Sequence, residues 1–125
     1  MTIRKQSQTL LASEARTTAQ TSADFSAEEA ICSDFVFNVT LDPSTASVTP
    51  QIWGKDPVSG AYYSILTSAA IAATGITVMR VGKDIIAAAN VAANAMLPKE
   101  FRVTVAVADA ESLTYSFSVT HMVGI

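Results

Sequence analysis

The sequence predicts an all-β fold, a single antiparallel β-sandwich or a jelly-roll-like variant of one, and three observations carry that expectation. From residue 30 onward apolar and polar side chains alternate with a period of two, which puts one face of a strand in a core and the other outside it. Clusters of Pro, Gly and Asp break the alternation at short intervals. Half of the residues are hydrophobic and only 15% are charged, with much of the remainder Ala, Thr, Ser and Val, a composition suited to short strands. A chain of 125 residues is about one domain long and can build a core without disulfides or metals.

The first segment, residues 1–29, stands apart as an extended N-terminal arm. It is rich in Gln, Ser, Thr and Ala and cannot bury enough apolar surface to hold itself together. Leu10 and Leu11 could begin a short strand, and Phe25 is the arm's one aromatic residue. The arm either lies on its own domain as an extra edge strand or packs on a neighbour. Residues 30–125 form the sandwich domain. Ile31, Phe35, Phe37, Val39 and Leu41 share one face of the first strand there, opposite Asp34, Asn38 and Thr40. After the turn at Asp42-Pro43-Ser44, Val48, Pro50 and Ile52 continue a second strand, and the missing donor of Pro50 places it near a sheet edge or at a bulge.

Asp56-Pro57-Val58-Ser59-Gly60 reads as a turn, with Ala61 to Thr67 returning as the partner strand. A five-residue loop places Trp53 opposite Tyr63 and Ile52 opposite Ser64; a four-residue loop places Gly54 opposite Tyr63 and Ile52 opposite Ile65. Both registers put apolar side chains on both faces of the hairpin, which marks it as a contact surface. Ile76 to Val81 is a further strand. Phe101 to Val107 and Leu113 to Val119 alternate cleanly around a turn at Asp109 to Ser112 and read as a hairpin. The Ala-rich stretch between Asp84 and Pro98 is either a short helix capped by Asp84 or an irregular crossing, with the irregular form slightly favoured.

Chemistry is harder to find. The net charge is −3 and no stripe of Lys and Arg exists, so nucleic acid is not an expected partner. The longest mostly apolar stretch, Ile85 to Leu97, is too short to span a bilayer, and the opening residues are polar, so neither a membrane nor secretion is expected. Gly75 and Gly82-Lys83-Asp84 lack the spacing and the hydroxyl of a phosphate loop. His121 is the single histidine and Cys32 the single cysteine, each more plausible as a filler than as a catalyst. The carboxylates Glu28, Glu29, Asp109 and Glu111 fall in the arm and in a turn, where solvated charge is the ordinary explanation. No enzymatic activity and no cofactor are expected.

One resemblance narrows the role. "QIWGKDPVSGAYYSILTSAAIAATG", "RVGKD…AAANVAANAMLP" and "EFRVTVAVADAESLTYSFSV" together resemble a family of small tailed-bacteriophage virion proteins similar to capsid decoration, or cement, proteins. The likeness spans roughly residues 30 to 121, and Val81-Gly82-Lys83 departs from the Pro-Gly turn expected there. It implies a structural protein assembled in bacterial cytoplasm, located on the virion surface, bound to the major capsid protein and oligomeric with itself. Trp53, Tyr62, Tyr63, Leu10, Leu11 and Phe25 are then the candidate partner contacts. A tail or baseplate part of the same fold and a glycan-binding sandwich that stacks sugars on Trp53 and the tyrosines are the rival readings.

Overall fold

A computed structural model describes residues 3–27 and 30–124 of the chain. The Glu28-Glu29 pair lies outside the described residues. Among the described residues ten strands form two sheets: β1 (Ile3–Arg16), β2 (Gln20–Thr21), β3 (Phe25–Ser26), β4 (Ala30–Leu41), β5 (Val48–Lys55), β6 (Tyr62–Thr67), β7 (Gly75–Gly82), β8 (Ala92–Asn94), β9 (Glu100–Val107) and β10 (Leu113–Gly124). Sheet A runs in the order β1-β10-β4-β7-β8, and sheet B runs β2-β9-β5-β6 with β3 also on β9. All pairs are antiparallel except β7 with β8.

The core lies between the sheets and is built from alternate residues of each strand. Phe35 and Phe37 of β4, Phe101 of β9 and Phe117 of β10 are fully buried. Phe35 meets Phe101 edge-on across the two sheets at 5.7 Å, and within one sheet Phe37 meets its cross-strand neighbour Phe117 edge-on at 5.3 Å. Such edge-to-face pairs set the positive rim of one ring against the negative face of the next. Of the first predicted row, Phe35, Phe37 and Val39 are buried, whereas Ile31 and Leu41 emerge into solvent at the strand ends.

Residues 3–27 are woven into both sheets. β1 pairs with nearly the whole length of β10, and β2 and β3 cover the edge of β9. Leu10 is buried in the core, and Leu11 and Phe25 pack against it, Phe25 with its ring 6.1 Å from that of Phe101. The strand that looked too polar to hold itself finds its hydrogen-bond partners on β10, so long-range pairing supplies what local composition does not.

Several local expectations need correction. β9 and β10 are not a hairpin: β9 belongs to sheet B and β10 to sheet A, so the turn at Asp109 to Ser112 carries the chain from one sheet to the other. Their inward rows face each other across the core, which alternation alone does not distinguish from lying side by side. Pro50 carries no bulge but lies near an edge as expected, in β5, one strand in from the edge strand β6. Its carbonyl accepts from Ser68 N–H just past the end of β6, so the missing proline donor falls where the neighbouring strand has run out. The Ala-rich segment takes the irregular form that its sequence slightly favours, with the short β8 inside it, and among the described residues there is no helix. Asp84 and Asn90 take left-handed backbone angles of φ 64° and 67°, and Asp84 N–H donates to Asn94 Oδ1 instead of opening a helical turn.

The β5–β6 hairpin combines two registers. Gly54 lies opposite Tyr63, as a four-residue loop requires, but a bulge at Ile65 then sets Ile52 opposite Leu66. Trp53 therefore faces Ser64 on one side and Arg102 on the other.

Candidate interaction surfaces

On sheet B the outward side chains of the hairpin meet those of β9 and the β2–β3 connection. The Arg102 guanidinium stacks over the Tyr62 ring at 3.5 Å, and Tyr62 Oη donates to the Asp24 carboxylate at 2.8 Å. Lys55 Nζ closes the cluster, 3.0 Å from Asp24 and 3.4 Å from Glu100. The hydrogen bonds from Tyr62 and Lys55 hold the Asp24 carboxyl below its ordinary pKa, and the same carboxylate pushes the Tyr62 phenol up. Trp53 lies alongside and donates from Nε1 to Thr104 Oγ1 at 2.8 Å. Asp24, Tyr62, Lys55 and Trp53 are each hydrogen-bonded, whereas the buried Nε of Arg102 has no hydrogen-bond partner among the described residues. The cluster pins the β2–β3 connection to the sheet.

The sequence-selected aromatics thus separate. Tyr62 and Trp53 share the outer face of sheet B, half-buried and hydrogen-bonded. Tyr63 lies on the opposite face, over Gly54 and Pro98, and remains 46% exposed. Leu10, Leu11 and Phe25 contribute their apolar surface to the chain's own core. Beside the hairpin, a cleft of about 420 Å³ is walled by Lys55, Lys99, Glu100 and the 56–60 turn. The turn closes on itself, with Asp56 accepting from Val58 N–H at 3.1 Å and from Ser59 Oγ at 2.6 Å. The Ser59 hydrogen bond, foremost, holds the Asp56 carboxyl below its ordinary pKa.

A buried polar relay also crosses sheet A. Ser33 Oγ lies 2.6 Å from His121 Nδ1, and His121 Nε2 lies 2.9 Å from Gln8 Oε1. A serine against an imidazole has the spacing of a nucleophile and its base. Here both residues are 2% exposed, which seals the hydroxyl from any substrate in this structure. Both fall on the inward parity of their strands, Ser33 with Phe35 and Phe37 and His121 with Phe117 and Val119. That coincidence is readable in the sequence and was the available signal; the part of Gln8 depends on strand pairing and is not. Cys32, the other lone candidate, points to the outer face beside Asp34, with Met122 and Gly82 as its cross-strand neighbours. Among the described residues no three His, Cys, Asp or Glu side chains gather as a metal-ligand set, and no helix is long and apolar enough to cross a membrane.

The outer face of sheet A is different in kind. Reading across four strands, one row is Thr9, Ser118, Val36 and Val78, and the next is Ser116, Asn38 and Ile76. Neither contains a charge. Ionisable groups begin one row further along, where Asp34 pairs with Arg80 at 3.2 Å and Ser7 bonds Thr120 at 3.0 Å, and continue with Lys5. The result is a broad sheet face of Ser, Thr, Val and Ile with charge confined to one end. Ile76 is 66% exposed and Val78 is 40% exposed.

Comparisons with known protein families, with curated proteins and with solved structures return no match for this chain.

Proposed function

We propose that this protein is a structural docking protein of a bacteriophage virion, a decoration protein that binds the outside of the capsid shell and stabilises it. The observation that carries the reading is the uncharged outer face of sheet A, centred on Ser118, Val36 and Val78. A solvated face of this size ordinarily carries several charges. A flat face of small hydroxyl and aliphatic side chains suits permanent burial against another protein, where charged groups are depleted from the core of the contact. The resemblance of residues 30 to 121 to tailed-phage virion proteins supplies the identity of the shell, and a jelly-roll-like wiring of the sandwich belongs to the same reading.

The test is co-sedimentation of the purified chain with phage heads that lack it, counted as copies bound per head. Saturation at hundreds of copies, retained at about 1 M NaCl, where charge pairs are screened within a few ångströms, is the expected result. Loss of that binding in Ser118→Lys and Val36→Lys variants would place the contact on sheet A. No binding to heads would overturn the reading and direct attention to tail fractions. Of the rivals, the glycan-binding module has less support. One face of the Tyr62 ring is already covered by Arg102, and Tyr63 points away from Trp53.

A further inference from the structure

The edges of the two sheets are not equally protected. β1, at one edge of sheet A, carries Arg4, Lys5, Glu14 and Arg16 and is interrupted by two register shifts. β6, at the edge of sheet B, carries the bulge at Ile65. Charges and bulges of this sort keep an edge from pairing with a stranger. The other side of sheet A lacks them. There β8 covers β7 only from Arg80 to Gly82, leaving Gly75 to Met79 with no strand on that side among the described residues. This open stretch, Gly-Ile-Thr-Val-Met, has no charge, no proline and no register shift.

Its backbone polarity can be read from the bonds at its far end. Arg80 N–H donates to Val91 C=O, and Gly82 C=O accepts from Ala95 N–H, so these even-numbered residues face away from β4. In an antiparallel ladder the N–H and C=O of one residue point to the same side, and the side alternates along the strand. Ile76 and Val78 therefore aim their N–H and C=O groups at the open edge, while Thr77 and Met79 bond to β4.

We infer that two copies of this chain pair antiparallel through the open edge of β7, about a two-fold axis at Thr77. In that register Ile76 lies opposite Val78 of the other copy, and Val78 opposite Ile76, so each pair exchanges both of its inter-strand hydrogen bonds. The outward side chains then meet aliphatic to aliphatic across the junction. A register shifted by two residues toward the C-terminal end would demand the N–H of Arg80, already committed to Val91. The shortness of the open stretch also favours a second copy over a loose peptide. A flexible segment would be ordered at a cost of about 1–2 kcal/mol per residue for only a few hydrogen bonds, whereas an identical edge arrives already folded. The two sheets A would join into one continuous sheet.

The inference does not depend on capsid binding, and its experiment contains no heads. Sedimentation equilibrium of the full chain should give twice the monomer mass at high concentration and the monomer mass on dilution. Val78→Pro removes an N–H that faces the edge and costs no bond to β4, so it should weaken association by roughly tenfold or more with circular dichroism unchanged. In a Cys32→Ser background, Thr77→Cys should form a reducible dimer under mild oxidation, because the non-hydrogen-bonded pair at the axis brings its Cα atoms to about 4.5 Å, within disulfide reach. Val58→Cys, on a 93% exposed loop site, should not do so. A chain that is monomeric at every concentration overturns the inference. So does a dimer that survives Val78→Pro, or one that crosslinks through Val58 and not through Thr77.

Discussion

His121 Nε2 lies 2.9 Å from Gln8 Oε1, and this contact fixes the protonation pattern of a buried relay. Gln8 Nε2 donates to the Ser26 carbonyl at 3.2 Å, an atom that can only accept, so the amide oxygen of Gln8 must face the imidazole. His121 then carries its proton on Nε2 and uses Nδ1 to accept from Ser33 Oγ, 2.6 Å away. One neutral ring thereby ties β10 to β4 on one side and to β1 on the other. Phe101 packs edge-on against it at 5.6 Å and keeps water out.

This arrangement makes stability depend on pH in a stated direction. Burial holds the His121 pKa below its ordinary value of 6.5, because the imidazolium would be poorly solvated among β1, β4 and β10. The unfolded chain therefore takes up the proton first as pH falls. The stability from the neutral ring is complete above about pH 6.5 and is lost progressively below it. Asp24 and Asp56, held below the ordinary 3.8, contribute stability that is lost only at more acidic pH. With a single histidine in the chain, the range from about pH 7 to pH 5 isolates His121. Urea midpoints should fall across that range in the native protein and stay level in His121→Phe. A level native profile would contradict the buried neutral ring.

Arg16 performs a comparable task at the other end of β1. Its side chain is 7% exposed, and its guanidinium donates to the carbonyls of Tyr115 at 2.9 Å and Ala12 at 2.6 Å while lying 4.7 Å from the centre of the Tyr115 ring. The interrupted pairing between Leu11 and Glu14 leaves backbone carbonyls that the guanidinium fills. Arg16→Ala should cost about 2 kcal/mol, the usual scale for hydrogen bonds from a charged donor. Arg16→Lys should recover only part of it, since one ammonium cannot reproduce the planar fork. Thermal melts of the three proteins measure this, and equal loss in both variants would show that the fork geometry alone matters.

What could be read from the sequence was the parity of side chains. Alternation is local, so the strands around Phe35, Ile52, Val103 and Phe117 were legible residue by residue, and two sheets enclosing a core followed. Which strand lies beside which was not, because pairing is decided by contacts far apart in the chain. For that reason β9 and β10 read as hairpin partners, although they lie in opposite sheets. Polar β1 looked unsupported because its partner, β10, is nearly the full chain length away. The Ala-rich segment reads two ways for a related reason. Alanine favours a helix when nothing else acts, but the bonds from Arg80 to Val91 and from Asn90 Nδ2 to the Thr67 carbonyl hold the segment against the edges of both sheets. The uncharged outer face of sheet A was foreshadowed by the low charge, and its location was not.

Gly54 offers a test of the hairpin's packing. A methyl group there would lie 2.6 Å from Tyr63 Cζ and 2.9 Å from Pro98 Cγ, so the tyrosine ring occupies the space a side chain would need. Gly54→Ala should destabilise by about 1–2 kcal/mol, the range for overpacking a closed contact. In a Tyr63→Ala background the same substitution should cost less, because the tyrosine ring is gone and only Pro98 Cγ still crowds the methyl. A double-mutant cycle by urea denaturation reads the difference, and additive losses would mean that Tyr63 yields without strain.

The last prediction separates β1 as a structural strand from β1 as a detachable arm. Leu10 is 6% exposed within the core, and Ser7, Gln8 and Thr9 bring further contacts with β10. Leu10→Ala should cost about 2–4 kcal/mol, the scale of a buried leucine truncated to leave a cavity. Deleting residues 3–16 should do more: it strips the edge of β10, exposes Phe117 and Val119, and removes the partner of His121 Nε2. Such a truncation would lose any docking through unfolding, so binding assays on it would be uninterpretable without a melt beside them. Thr9→Lys probes docking more cleanly, since its side chain sits on the uncharged outer row and is exposed. It should leave the melting temperature within a degree or so of native, as surface substitutions usually do, while weakening the attachment to heads proposed above. A Leu10→Ala variant with native stability would show instead that β1 leaves the sheet at little cost and is free to pair elsewhere.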